Sequence, residues 1–335
     1  MKKLPIVVTP GEPAGVGAEI TLKAWQDGSC PPFFLIDDPK RVINRAKYAK
    51  LDVPTQVIKS PLEANKVFSS ALPILPCEFP VHCDPGNPSV DNSPTIIKAI
   101  EMAVDFTNNN KARSVVTNPI QKNTLTQSGF TYPGHTEFLA SLSKIRCIPV
   151  MLLRSKQLSV VPVTIHEPIS EVSKLLTTDL IIRTAMITAN SLQVDFGITQ
   201  PRLWLSGLNP HAGESDTIGT EETTIIKPAI DCIRAQGIKA AGPIPADSMF
   251  HSDARKKYDV AICMYHDQAL IPLKTLDFWN SVNVTIGLPF VRTSPDHGTA
   301  LEIAGSGKAR PSSLISAIQL ADELERNRSR RMSSE

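Results

Sequence analysis

Short runs rich in β-branched residues alternate along this chain with longer segments of helical periodicity, and that alternation constrains the fold more than any other feature. Residues 5–9, 33–36, 114–117, 158–165, 202–206 and 259–264 read as strands, and 93–109, 136–143, 178–193, 221–236 and 312–326 as helices. A strand followed by a helix returns the chain to begin a parallel neighbour, so the expected class is α/β with largely parallel sheet. At 335 residues a single core usually stops growing, and two domains are expected. Sheets of this kind place their sites in the crevice beyond the carboxyl ends of the strands.

Composition narrows the function classes. A net charge of +2 gives no electrostatic case for nucleic acid or a membrane surface. The basic cluster Arg326, Arg328, Arg330 and Arg331 reads as a solvated helix end running into a frayed terminus. No apolar run approaches the ~18 residues of a membrane span. The opening MKKLPIVVTPGEPAG is too short in its apolar part for a signal peptide and reads as a first strand. Six scattered cysteines with no C-x-x-C pair fit reduced thiols in the cytoplasm.

Dense polar clusters follow several strands: GEPAGVGAE, TNPIQKNTL, IHEPIS, GLNPHAGE and MYHDQAL. Such loops at one end of a sheet point to an enzyme. Three histidines share one placement, His166, His211 and His266 each lying at or just past a strand end. If those strands are parallel neighbours, the imidazoles converge on one edge, and three imidazoles with open positions suit a catalytic metal. The alternative is three unrelated histidines satisfied by loop hydrogen bonds. In YPGHTE, Thr136 can cap the next helix, and the free amides with His135 would receive an anion. Lys274, Asn283 and Arg292 offer two cations and an amide among apolar runs. Gly11, Gly15 and Gly17 match neither a Rossmann fingerprint nor a P-loop; a tight strand-to-helix turn accounts for them.

Taken together, TPGEPAGVGAEI, PGHTEFLA, GLNPHAGE, GPIPADSMF, MYHDQALIPLK and GLPFVRTSPDHGTALEIAGSGKA resemble the 4-hydroxythreonine-4-phosphate dehydrogenase family over nearly the whole chain. The resemblance implies two α/β/α domains of the isocitrate/isopropylmalate dehydrogenase type, here 1–125 with 280–335, and 126–279. It implies a homodimer whose second subunit completes the site, and no nucleic-acid or membrane partner. It makes His166, His211 and His266 ligands of one divalent metal, with zinc, cobalt or manganese suiting imidazole better than magnesium. His135, Thr136, Lys274, Asn283 and Arg292 become substrate contacts. Residues 296–305 are similar to an adenosine-binding loop, which makes His297, Gly298, Thr299 and Glu302 contacts to NAD, with NADP the alternative. Asp247, Asp267 and Lys274 are candidates for the general base. The implied reaction is NAD-dependent oxidation of 4-phosphooxy-L-threonine on the route to pyridoxal phosphate. The rivals are a sister dehydrogenase for D-threonate or D-erythronate 4-phosphate and, more distantly, a three-histidine metal hydrolase. Departures from the family pattern occur at Ser215–Gly219, at Asn118 and Gln121, and at Arg310-Pro311, none of them at a proposed ligand.

Overall fold

Ile6, Val7 and Val8 are fully buried, as a strand covered on both faces requires, and they form β1 (Ile6–Thr9). The computed structural model describes residues 4–132 and 134–332; Pro133 of the YPGHTE segment and tail residues 333–335 lie outside them. The remaining strands are β2 (Phe33–Asp37), β3 (Thr55–Val57), β4 (Leu72–Pro76), β5 (Ser114–Thr117), β6 (Val150–Arg154), β7 (Ser159–Pro162), β8 (Arg202–Ser206), β9 (Lys239–Ile244), β10 (Val260–Cys263), β11 (Val282–Ile286) and β12 (Val291–Pro295).

Two compact units divide the chain: Met1–Pro149 with Leu288–Glu325, and Val150–Gly287 with Arg326–Glu335. The boundaries expected from sequence, 125/126 and 279/280, fall short of these for packing reasons. Phe138 and Leu139 join Leu125, Phe130 and Ile96 in one apolar cluster, which keeps the helix His135–Ser141 in the first unit. β11 pairs antiparallel with β6 from Val282 opposite Arg154 to Ile286 opposite Val150, which keeps 282–286 in the second.

In the first unit the strand order is β3-β4-β2-β1-β5-β12, every pair parallel. Alternate residues of a strand face opposite sides. Val7, Phe34, Ile36 and Val115 therefore meet Ile96, Ala99, Ile100 and Ala103 of the helix Ser93–Asn108. Ile6, Val8, Phe33 and Leu35, on the other side, are equally buried. From β1 the chain builds β2 to one side, while β5 lies on the other. This reversal leaves a switch point between β1 and β5, and the GEPAG and TNPIQ loops leave the sheet there.

The second unit has the order β11-β6-β7-β10-β8-β9. β11, β6 and β7 are antiparallel to one another in turn, whereas β7, β10, β8 and β9 run parallel. Several local readings change. The strand expected over 158–165 ends at Pro162, although Val163 N still donates to Cys263 O at 2.8 Å. The helix expected over 221–236 opens with a π turn, Glu222–Ile226, before Lys227–Ala235. MYHDQAL is not a loop throughout: His266 begins the helix His266–Leu276, which carries Pro272 inside. In the terminal helix Ser312–Met332, Arg328 is not simply solvated, since its Nε donates to Asp195 Oδ1 at 2.7 Å. Among the described residues no helix is long and apolar enough to cross a membrane.

Candidate active site

β7, β10 and β8 are adjacent and parallel, so their carboxyl ends lie side by side. His166 follows β7, His266 opens the helix after β10, and His211 follows β8. The rings of His166 and His266 lie 5.8 Å apart between centroids. Two imidazoles facing one ion at about 2.0–2.1 Å from each nitrogen bring their ring centres to roughly 5–6 Å, so this pair suits a shared cation. His211 is exposed, and among the described residues no group of three His, Cys, Asp or Glu is close enough to hold an ion. The fold thus brings two of the three histidines into ligand spacing and sets the third on the neighbouring strand end.

A hydrogen-bond network fixes those strand ends. Gln268, buried, accepts from Ser206 Oγ and from Met264 N at 2.7 Å each and donates to Gly207 O at 2.8 Å, tying β8 to β10. Thr164 Oγ1 donates to Met264 O at 2.8 Å and ties β7 to the same point. The turn bearing His211 is left-handed at every residue from His211 to Asp216, although only Gly213 lacks a Cβ. Each such residue costs roughly 1–2 kcal/mol, so other contacts must hold the turn. Buried Glu222 does so, accepting from Leu208 N at 2.8 Å, Asn209 N at 2.7 Å and Asn209 Nδ2 at 2.9 Å. A Cβ on Gly213 would come within 2.7 Å of a Glu222 oxygen. The sequence reading missed Gln268, Thr164 and Glu222; a polar residue directly beside each histidine loop was the available signal.

The other proposed contacts separate by environment. Asp267, exposed, holds His266 Nδ1 at 2.7 Å, which makes it an orienting partner for that imidazole. Asp247 is exposed in the turn Ala246–Ser248, which packs against the turn bearing His211. Lys274 sits half-buried in the helix His266–Leu276 with Nζ 5.4 Å from the centre of the Phe278 ring. Asn283 on β11 has a buried Oδ1 with no hydrogen-bond partner.

Arg292 is buried on β12, and its Nε and Nη2 reach Thr117 Oγ1 at 3.2 and 2.6 Å. Burial pushes its pKa down to about 10, opposed by the charge of Glu137. His135 has a buried Nε2 without a partner. Burial, then the Arg292 charge, holds its pKa well below the usual histidine range, so the imidazole is neutral at pH 7. Thr136 is not a cap: the helix begins at His135, and extended Gly134 holds the cap position with no side-chain bond.

At the switch point between β1 and β5, Glu12 is buried, its Oε1 accepts from Ala14 N at 3.0 Å, and its Oε2 lacks a partner. Burial raises its pKa, partly offset by that amide and by Arg41. The loop expected to bind adenosine folds over this turn. Val16 N donates to Thr299 O at 3.0 Å, and Thr299 Oγ1 bonds Gln121 Oε1 at 3.2 Å. A Cβ on Gly15 would stand 2.9 Å from Thr299 O, which gives that glycine a steric reason. His297, Gly298 and Glu302 are exposed, Glu302 within the 3₁₀ turn Leu301–Ile303.

A family model for the pyridoxal phosphate biosynthetic protein PdxA matches residues 29–321. The chain belongs to this family. It is 50% identical over 329 residues to a 4-hydroxythreonine-4-phosphate dehydrogenase of Methylorubrum populi, with 96% of this chain and 94% of that one covered. The corresponding protein of Bradyrhizobium diazoefficiens is 47% identical, with 96% of each covered. The crystal structure of 4-hydroxythreonine-4-phosphate dehydrogenase from Klebsiella pneumoniae superposes with a TM-score of 0.86 at 33% identity, covering 97% of this chain and 98% of that one. This PdxA-family protein is therefore an oxidoreductase of pyridoxal phosphate biosynthesis, and the hydrolase alternative falls away.

Proposed function

We propose that this enzyme oxidises 4-phosphooxy-L-threonine at C3, using NAD and one divalent metal ion, as a homodimer. The C3 hydroxyl loses its proton and NAD takes the hydride, giving 2-amino-3-oxo-4-(phosphooxy)butanoate. That β-keto acid loses carbon dioxide and gains a proton at C2 to give 3-amino-2-oxopropyl phosphate. The observation that carries the reading is the set of three histidines leaving the carboxyl ends of three adjacent parallel strands, two of them 5.8 Å apart.

His166, His211 and His266 would hold the ion, which when bound supplies Lewis-acid polarisation of the substrate oxygen. Asp267 orients His266 through Nδ1. Arg292, a buried cation beside a neutral His135 with a free Nε2, is suited to an anionic group of the substrate, and His135 donates or accepts without adding charge. Asn283 Oδ1 accepts from a substrate donor, and Lys274 adds a second cation. With Asp267 engaged by His266, Asp247 is left to take the hydroxyl proton, as is Lys274 in place of its role as a cation if its amine is neutral.

NADH absorbance on a panel of 4-phosphooxy-L-threonine, D-threonate 4-phosphate and D-erythronate 4-phosphate tests the substrate. A clear preference for either sugar acid overturns it. Metal content after dialysis, compared between the unaltered protein and His211→Ala, tests the ion site, and full activity of a metal-stripped His211→Ala protein refutes that site.

A further inference from the structure

Glu19 lies in the first turn of the helix Gly17–Asp27 and is fully buried, a costly place for a carboxylate whose oxygens lack partners. Its partners come from the far end of the chain. Oε2 accepts from Gly305 N and Oε1 from Ala309 N, each at 3.1 Å. One helical turn on, Lys23 Nζ bonds Glu19 Oε1 at 3.1 Å and donates to Gly307 O and Ala309 O at 2.7 Å each. This ion pair grips the backbone of residues 305, 307 and 309 on both its donor and its acceptor sides.

The gripped segment closes the loop that carries His297, Gly298, Thr299 and Glu302, whose opening limb is held separately by Val16 and Gln121. Gly305 and Gly307 take φ +75° and +74°, and a Cβ on either would come within 2.8 Å of Pro85 Cγ or Ala49 O. The loop is therefore pressed against its unit along one limb, while Glu302 stays exposed at its tip. An apolar contact would seal such a loop as well. A buried ion pair that meets specific amides and carbonyls selects one backbone shape among many.

We infer that Glu19, together with Lys23, is the positioning residue for cofactor recognition, holding 299–309 in the shape that meets the dinucleotide. The inference rests on the proposed reading of that loop as the cofactor site. Its test titrates NAD into whole enzyme by calorimetry and separates KM for NAD from kcat and from KM for the phosphorylated substrate. Glu19→Gln and Lys23→Met should each weaken NAD binding by about 10-fold or more, as loss of a supporting contact behind a site does. At saturating NAD, kcat and substrate KM should stay within about 3-fold. Amide exchange should quicken over 303–309 and not across the sheet. Unaltered enzyme that binds NAD while both variants bind it within about twofold overturns the positioning role. Unaltered enzyme that does not bind NAD overturns the cofactor reading and this inference with it. If Glu19→Gln does not fold, Lys23→Met decides, because Lys23 is partly exposed and its loss leaves Glu19 its two amide donors.

Discussion

Replacing Arg292 by Met separates binding from stability. Its pKa, pushed down to about 10 by burial, corresponds to a folded-state penalty of roughly 3 kcal/mol on the guanidinium charge. A cation disfavoured by folding destabilises at every pH below about 10, and the penalty fades only above it. Methionine removes that penalty but also removes the two bonds to Thr117 Oγ1, worth about 1.5–3 kcal/mol together as charge-assisted contacts. Set against these two bonds the effects nearly cancel, so Tm should stay within about 6 °C of the unaltered protein, taking ~2–4 °C per kcal/mol for a unit of this size. Catalysis should respond very differently. Loss of the proposed contact to a substrate anion should cost about 2–5 kcal/mol, a fall of roughly 30-fold to several thousand-fold in kcat/KM. Differential scanning fluorimetry and steady-state kinetics on the same preparations decide it. A Tm lower by more than about 6 °C would make Arg292 a structural cation, and kcat/KM within about twofold would remove it from the site.

Three further outcomes are expected. The unfolded chain protonates His135 near pH 6.5 while the native one resists, so stability is present above that pH and declines as pH falls through it; His135→Gln should flatten the Tm slope between pH 7.5 and 5, and an unchanged slope argues against a buried neutral imidazole. Gln268→Leu strands Met264 N and Gly207 O in the interior at a cost of about 2–4 kcal/mol, so Tm should fall by roughly 4–16 °C; an unaltered Tm means the strand ends are held otherwise. Exposed Glu302 should favour NAD over NADP by about 10-fold or more in kcat/KM, because a 2′-phosphate would meet its charge. Glu302→Gln should narrow that gap by improving NADP, and equal use of both cofactors by the unaltered enzyme contradicts the role.

What the sequence by itself determined was whatever depends on local periodicity and on residue type. β1, β2, β5, β8 and β10 were legible because their β-branched runs are short, buried and bounded by turn residues. The placement of His211 and His266 beyond strand ends needed only those boundaries, His166 came from the longer run expected over 158–165, and the family motifs needed only residue order. Local signals failed where a neighbour overrode them. Pro272 argues against a helix, yet His266–Leu276 forms because Ala269 and Leu273 pack against Val160 and Ala261. Thr136 looks like a cap, but the helix starts one residue earlier. The strand order was beyond reach of any local pattern, and it alone makes β7, β10 and β8 neighbours, bringing His166 to His266 across 100 residues of chain. The same holds for Glu19, an ordinary helix-start acid in the sequence, whose amide partners lie 286 and 290 residues away. Periodicity reports which side of an element is apolar, whereas pairing between distant segments is decided by the summed packing of the whole unit, and the candidate site is made of such pairings.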